Sequence, residues 1–414
     1  MERVVITGMG IISPLGNDVD SFWQGLSAGA SGIGQIDMFD VTSYKSKIAG
    51  LVKEFDPEAR FGRKDARKMD RFSQFALAAA QQALENSGLN MDEVDKERLG
   101  VYVGSGIGGI QTLIEQEAIL RGRGPDRVSP LLVPMMISNM AAAMISIRYG
   151  AMGPTMSPVT ACSIGNTAIG EAFRLIRSGI TDVMIAGGAE AAITEISLAG
   201  FGNATAVSTR NDTPQKASRP FDAGRDGFVM AEGAGILILE SLSHAQQRGA
   251  AIYAEVVGYG ASSDAYHMVA THPEGHGPYL AMKAAMREAG IRPDEVDVIS
   301  AHATSTGVGD QSETVAIKKA FGDYAYKIPV TANKSMTGHM LGAAGGAEAI
   351  ALIKSLGAGI IPPTINQEER DPLCDLDYVP NTAREAKLSV GLSNSFGFGG
   401  HNAVIVLKNW PGAN

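Results

Sequence analysis

One cysteine and two histidines stand in the sequence contexts best suited to covalent chemistry. Cys162 lies in Ser157-Pro158-Val159-Thr160-Ala161-Cys162-Ser163-Ile164-Gly165, where a short extended run gives way to a helical pattern ending near Ser178. A thiol at a helix start feels the positive end of the helix dipole and its free amides, which favours the thiolate. The same amides can hold an oxyanion once the sulfur has attacked a carbonyl. The competing reading is a buried structural cysteine, the commoner fate of a lone thiol. His302, in Ile299-Ser300-Ala301-His302-Ala303-Thr304-Ser305-Thr306, follows a strand pattern directly. His339, in Asn333-Lys334-Ser335-Met336-Thr337-Gly338-His339, precedes a run of small residues from Gly342 to Ala347. Both belong in strand-exit loops, where α/β folds gather ligands and catalytic groups.

Other candidates read as structural. Cys374, in the acidic loop Asp371-Pro372-Leu373-Cys374-Asp375, has no helix start and no basic neighbour, so it should be inert. His267, His272 and His276 are spaced like metal ligands, but Pro273, Gly275 and Gly277 deny them a common helix face. No metal site is expected there. Gly104-Ser105-Gly106-Ile107-Gly108-Gly109 fits a dinucleotide-binding pattern, yet no acidic strand end follows about 20 residues on, so these glycines read as packing. Between Arg63 and Arg71 lies a basic cluster in which Lys64, Arg67, Lys68 and Arg71 would share one face of a helix.

The elements needed to hold these loops are visible in the pattern. Glycines number 50, without any fibrous repeat, and cluster after apolar strand-like runs at Val4 to Gly10, Val101 to Gly109, Val183 to Gly188 and Val390 to Gly400. Helical patterns at Phe72 to Asn86, Ile164 to Ser178 and Tyr279 to Ala289 alternate with them, predicting an α/β fold with mainly parallel strands. Ala83 to Asp95 reads very like Ala285 to Asp297: a helix ending in glycine, an acidic turn, then a short strand. This echo predicts two similar halves, 1–250 carrying Cys162 and 251–414 carrying both histidines, divided near Arg248-Gly249-Ala250. A chain of 414 residues is long enough for two such cores. A net charge of −9 argues against a nucleic-acid binder, which needs a basic face. Two cysteines cannot build a disulfide framework, and Met1-Glu2-Arg3 runs straight into Val4-Val5-Ile6 with no signal-like segment, so a cytoplasmic setting is expected. Val128 to Ile147 carries no charge, but Pro130 and Pro134 break it. It reads as a buried loop and helix at an interface or apolar pocket, not as a membrane span.

Taken together, Thr160-Ala161-Cys162, Ala301-His302-Ala303-Thr304-Ser305-Thr306, Lys334-Ser335-Met336-Thr337-Gly338-His339 and Asn394-Ser395-Phe396-Gly397-Phe398-Gly399-Gly400 resemble the motifs of the elongating β-ketoacyl-[acyl carrier protein] synthases. The likeness runs over essentially the whole chain. It implies the thiolase-like fold, two duplicated βαβαβαββ halves in five α-β-α-β-α layers. It implies that Cys162 takes an acyl chain from acyl carrier protein, with the amides of Cys162 and Phe398 as oxyanion hole. His302 and His339 would hydrogen-bond the malonyl thioester oxygen, Lys334 would lie beside them paired with Glu348, and Thr304 and Thr306 would hold the phosphopantetheine arm. Ile107 would line the acyl pocket, and Lys64, Arg67 and Lys68 would dock the carrier protein. The resemblance further implies a homodimer and no cofactor beyond the phosphopantetheine on the substrate. Ile164, Ser300 and Gly307 depart from the usual pattern without removing a reacting group. The alternatives are a polyketide or aryl-polyene ketosynthase, a degradative thiolase, which would need a second cysteine in the Gly397 to His401 loop, and a non-catalytic chain-length partner, which would lack Cys162.

Overall fold

The computed structural model describes residues 1–411, so positions 412–414 of the expected second half lie outside it. Its main feature is a ten-stranded sheet. In chain order the strands are β1 (Val4–Ile12), β2 (Leu99–Gly104), β3 (Thr155–Met156), β4 (Val183–Glu190), β5 (Gly233–Ser241), β6 (Ala254–Ser263), β7 (Val298–Ser300), β8 (Val330–Thr331), β9 (Val390–Gly397) and β10 (His401–Asn409). The principal helices are α1 (Arg71–Ser87), α2 (Ile110–Arg123), α3 (Ile164–Arg177), α4 (His276–Ala289), α5 (Gly307–Phe321) and α6 (Ala344–Ala358). Each half therefore runs βαβαβαββ.

Strand order makes the duplication explicit. From the centre outward the first half reads β1-β5-β4-β2-β3 and the second β6-β10-β9-β7-β8, the same order twice. Pairing directions repeat too: antiparallel, antiparallel, parallel, parallel in each half. The halves join where Val4–Ile6 of β1 pairs antiparallel with Ala254–Val256 of β6. The expectation of mainly parallel strands is thus corrected. Each half closes with an antiparallel ββ unit, and the β1–β6 joint is antiparallel as well, so the sheet is mixed.

Alternation along the strands sorts side chains into layers. Met9, Ile11, Leu237 and Leu239 from the first half, and Ile405 and Leu407 from the second, enclose α3 and α6 in one core. Opposite faces turn outward: Val101, Val103, Ile236 and Ile238 pack on α1, and Ile299, Val404 and Val406 pack on α4 and α5. The result is five layers, with α3 and α6 in the middle. Those two helices touch closely because a Cβ on Gly165 would meet the Gly346 backbone nitrogen at 2.4 Å. Phe72 and Phe75 anchor α1 with no exposure, each worth about 1.5–3 kcal/mol of burial. The echoed segments behave alike, since α1 and α4 both end in a left-handed glycine, Gly88 and Gly290.

Two local expectations need correction. The basic cluster does not form one helix face: a short helix spans only Arg63–Ala66, and Arg71 opens α1 with a bidentate pair to Glu232 at 2.8 and 2.9 Å. Lys64, Arg67 and Lys68 are exposed, with Arg67 3.8 Å from Glu58 and Lys68 3.2 Å from Asp65. The uncharged stretch is only half buried. Ala141, Ala142 and Ile145 pack inward, whereas Leu131, Val133, Ile137 and Ile147 face outward. No helix among the described residues is long and apolar enough to cross a membrane.

Candidate active site

Cys162 sits in a 3-10 turn, Ala161–Ser163, that runs directly into α3, the middle-layer helix. Ala161 holds a φ of +52°, a strained setting for a non-glycine residue that turns the chain sharply before the thiol. The end of β9 lies against this turn. A Cβ on Gly397 would meet Thr160 O at 2.5 Å and Cys162 N at 3.0 Å, so only glycine allows the approach. That approach brings the Phe398 amide toward the sulfur, and it and the Cys162 amide both pull the thiol's pKa down. Two backbone donors converging on one nucleophile can also stabilise an oxyanion formed beside it.

Burial opposes the helix-start effect on the sulfur. Burial pushes the Cys162 thiol up to about 12, outweighing the Lys334 charge and the two amides that pull it down; Glu190 adds to the upward shift. The residue keeps partial exposure only through the cavity it lines. Its proton must leave as the sulfur attacks.

That cavity, of about 580 Å³, also receives His302, His339, Phe398, Thr304, Thr306 and Ile107. The histidine rings are 5.5 Å apart, nearly perpendicular. His302 leaves β7 on a loop whose amides at His302 and Ala303 donate to the buried Glu313 carboxylate, at 2.9 and 2.7 Å. His339 is held by its own amide on Val229 O at 2.7 Å, with Phe228 edge-on to its ring at 5.4 Å. Burial, then the Lys334 charge, lowers both imidazoles well below 6.5, and His339 adds to the effect on His302. Both are therefore neutral near neutral pH. Neither Nδ1 has a partner among the described residues. A bare lone pair costs less there than an unpaired N–H, so the favoured tautomer carries its proton on Nε2.

Lys334 does not line the cavity. It is buried and paired with Glu348, whose carboxyl burial raises and Lys334 lowers. Thr304 and Thr306 hydroxyls lie 3.0 Å apart at the cavity wall. Lys64, Arg67 and Lys68 stand apart from the cavity lining. Cys374 is buried elsewhere, its thiol pushed up to about 12 by burial. Sequence reading missed Glu313 and Glu190, each a carboxylate buried against site loops. Their signal was an acid within an otherwise buried element: Glu190 ends the wholly buried β4, and Glu313 lies on the inner face of α5.

Two βαβαβαββ halves, one presenting a cysteine and the other two histidines to a shared cavity, make this a thiolase-like fold of the ketosynthase type. The chain belongs to the β-ketoacyl synthase family: the family's N-terminal domain matches residues 1–245 and its C-terminal domain residues 253–368. It is 50% identical over 409 residues to 3-oxoacyl-[acyl-carrier-protein] synthase 2 of Synechocystis sp., covering 99% of this chain and 98% of that one. It is 51% identical over 407 residues to the protein of the same name from Coxiella burnetii, covering 98% of each. Among solved structures, a type II polyketide ketosynthase in complex with its acyl carrier protein superposes with a TM-score of 0.92 at 36% identity, covering 99% of this chain and 100% of that one. A β-ketoacyl synthase from Burkholderia phymatum gives 0.91, also at 36% identity and with the same coverage.

Proposed function

We propose that the chain catalyses decarboxylating Claisen condensation of malonyl-[acyl carrier protein] with an acyl group held on Cys162, giving a 3-oxoacyl-[acyl carrier protein] lengthened by one two-carbon unit. The observation that carries this reading is the meeting of Cys162, the Phe398 amide and two neutral histidines in one cavity. In the first half-reaction the Cys162 sulfur attacks the acyl thioester, forming a new S–C bond as the carrier S–C bond breaks. The amides of Cys162 and Phe398 receive the oxyanion, and the cysteine proton passes to the departing pantetheine thiol. In the second, malonyl carrier protein loses carbon dioxide, and the electron pair of the broken C–C bond moves to the thioester oxygen. His302 and His339 donate to that oxygen through Nε2–H. The enolate carbon then attacks the acyl carbonyl, the C–S bond breaks, and Cys162 regains a proton from solvent. Burial, aided by the charge of Lys334 paired with Glu348, keeps both imidazoles neutral, and Thr304 and Thr306 hold the phosphopantetheine arm. No cofactor is needed beyond that arm. The division at 250/251 suits this reading, with the nucleophile from one half and the enolate site from the other. Incubation with malonyl carrier protein and a ladder of acyl carrier proteins should yield each 3-oxo product; failure with every primer sinks the reading. Chains built as polyketides instead would point to the alternative ketosynthase class.

Ile107 lies partly buried on the cavity wall, packed with Leu341 and Phe201. A branched Ile leaves room for medium and long acyl chains. Ile107→Phe should block long primers, since an added ring overfills a packed wall at about 1–3 kcal/mol. Condensation rates for a short and a long primer check this; an unchanged ratio removes Ile107 from the acyl path.

Carrier proteins of this kind are acidic, and this chain is itself at −9, so docking needs a local basic face. The exposed Lys64, Arg67 and Lys68 supply one. Lys64→Glu with Arg67→Glu should raise KM for carrier substrates and flatten its salt dependence, because such attraction acts within about 8 Å at physiological salt. Free pantetheine thioesters should be little affected. Equal losses on both substrate types would contradict docking at this face.

The outward apolar residues fit a second copy of the chain. Val133, Ile147, Met152, Met156 and Val159 are 58%, 72%, 73%, 45% and 56% exposed, and Met156 lies on β3, one of the sheet's two edge strands. Exposed apolar side chains beside an edge strand are a surface that a second copy of the chain can cover. Light scattering should give a dimer; a monomer at working concentration would refute the assignment. The setting consistent with this chemistry is the cytoplasm.

A further inference from the structure

Glu190 ends β4 fully buried, yet its carboxylate reaches the wall of the cavity that holds Cys162. Its Oε1 accepts from the Ser105 hydroxyl at 2.7 Å and from the Ile107 amide at 3.1 Å. Its Oε2 accepts from the Gly106 amide at 2.9 Å and from the Gly342 amide at 3.1 Å. The Ser105 hydroxyl in turn accepts from the Gly108 amide at 3.0 Å, so its own proton points to the carboxylate. Every polar neighbour of Glu190 is thus a donor. A protonated carboxyl would set its own O–H against one of them, so the four donors favour the ionised form while burial raises the pKa.

The donors come from two separate places in the chain. Ser105, Gly106 and Ile107 leave β2 in the first half. Gly342 follows Leu341, which holds a strained φ of +48° close after His339 in the second half. Leu341 and Ile107 pack in one apolar cluster with Cys162. We infer that Glu190 is a positioning residue that fixes the acyl wall, clamping the Ile107 loop to the Leu341–Gly342 loop through one carboxylate. The wall at Ile107 then cannot give way to a longer chain without breaking hydrogen bonds shared with the His339 side of the cavity. Chain-length selectivity is set by this clamp as well as by the size of residue 107. The inference rests on the acyl role proposed for the cavity.

Glu190→Gln keeps the shape but turns one double acceptor into a donor facing two N–H or O–H groups. Hydrogen exchange at the Gly106, Ile107 and Gly342 amides should rise together by about tenfold or more in the folded variant. The ratio of kcat/KM for a long primer to that for a short one should change by about fivefold or more, carried mainly in KM. Ser105→Ala, which removes one donor, should move that ratio in the same direction by less, and it provides the test if Glu190→Gln does not fold. Exchange that rises in only one of the two loops, or a ratio unchanged in both variants, overturns the clamp. If the unaltered protein elongates no carrier thioester, the functional reading falls, and coupled exchange alone decides the clamp.

Discussion

Cys162→Ala is expected to abolish condensation, by a factor of about 10⁴–10⁶, and to leave no acyl adduct on the protein. The size of the effect follows from the site. No other sulfur among the described residues lines the cavity, and the oxyanion hole proposed for the amides of Cys162 and Phe398 serves only this carbonyl position. The second thiol cannot substitute, because Cys374 is buried in another core and burial pushes it up to about 12. Folding should survive. The side chain borders a cavity, and removing one sulfur leaves α3 and its contact with α6 in place. Product analysis with matched carrier substrates checks the loss, and a thermal melt checks the fold. Residual acylation of the variant, or label found on Cys374, would defeat the assignment.

His339→Ala should separate the half-reactions. The enolate oxygen needs neutral donors, and burial with the Lys334 charge supplies them by holding both imidazoles well below 6.5. Removing one should lower condensation by about 10²–10⁴. Acyl transfer should fall much less, because the oxyanion hole proposed for it is made of backbone amides. The pH profile follows the same sign. A depressed histidine pKa leaves the ring neutral above that value, so the acid limb of condensation should lie below pH 6.5. Lys334→Met removes the nearby positive charge and should move that limb upward. Release of carrier thiol, followed separately from 3-oxo product, measures the two steps. Equal large losses in both would contradict the division of roles.

Particular elements show what local sequence could and could not carry. The helical patterns at Phe72, Ile164 and Tyr279 became α1, α3 and α4, because apolar periodicity and a terminal glycine are local signals. The glycine-ended echo anticipated two similar halves, while the repeated strand order shows only in the fold. Strand direction was not local. β4 and β5 pair antiparallel across a long excursion from Ala191 to Glu232, so no hairpin signal marks them. The basic cluster misled because its spacing suits a helix, while the chain breaks at Ala66 and Glu232 captures Arg71 from far along the sequence. The surroundings of Cys162 are non-local too: its position at the start of α3 is written in the sequence, but its desolvation depends on everything packed around it. Glu190 and Glu313 gain their meaning only from partners in other loops.

The central claim is that an acyl chain waits on Cys162 until a decarboxylated malonyl unit takes it. Intact-protein mass spectrometry tests it most directly. After incubation with an acyl carrier protein and removal of excess carrier, the protein should carry one acyl mass, mapped to the Cys162 peptide. Addition of malonyl carrier protein should then discharge that mass, with carbon dioxide and 3-oxoacyl carrier protein appearing in equal amounts. An adduct elsewhere, or an acyl-Cys162 that persists while product forms, would contradict the account.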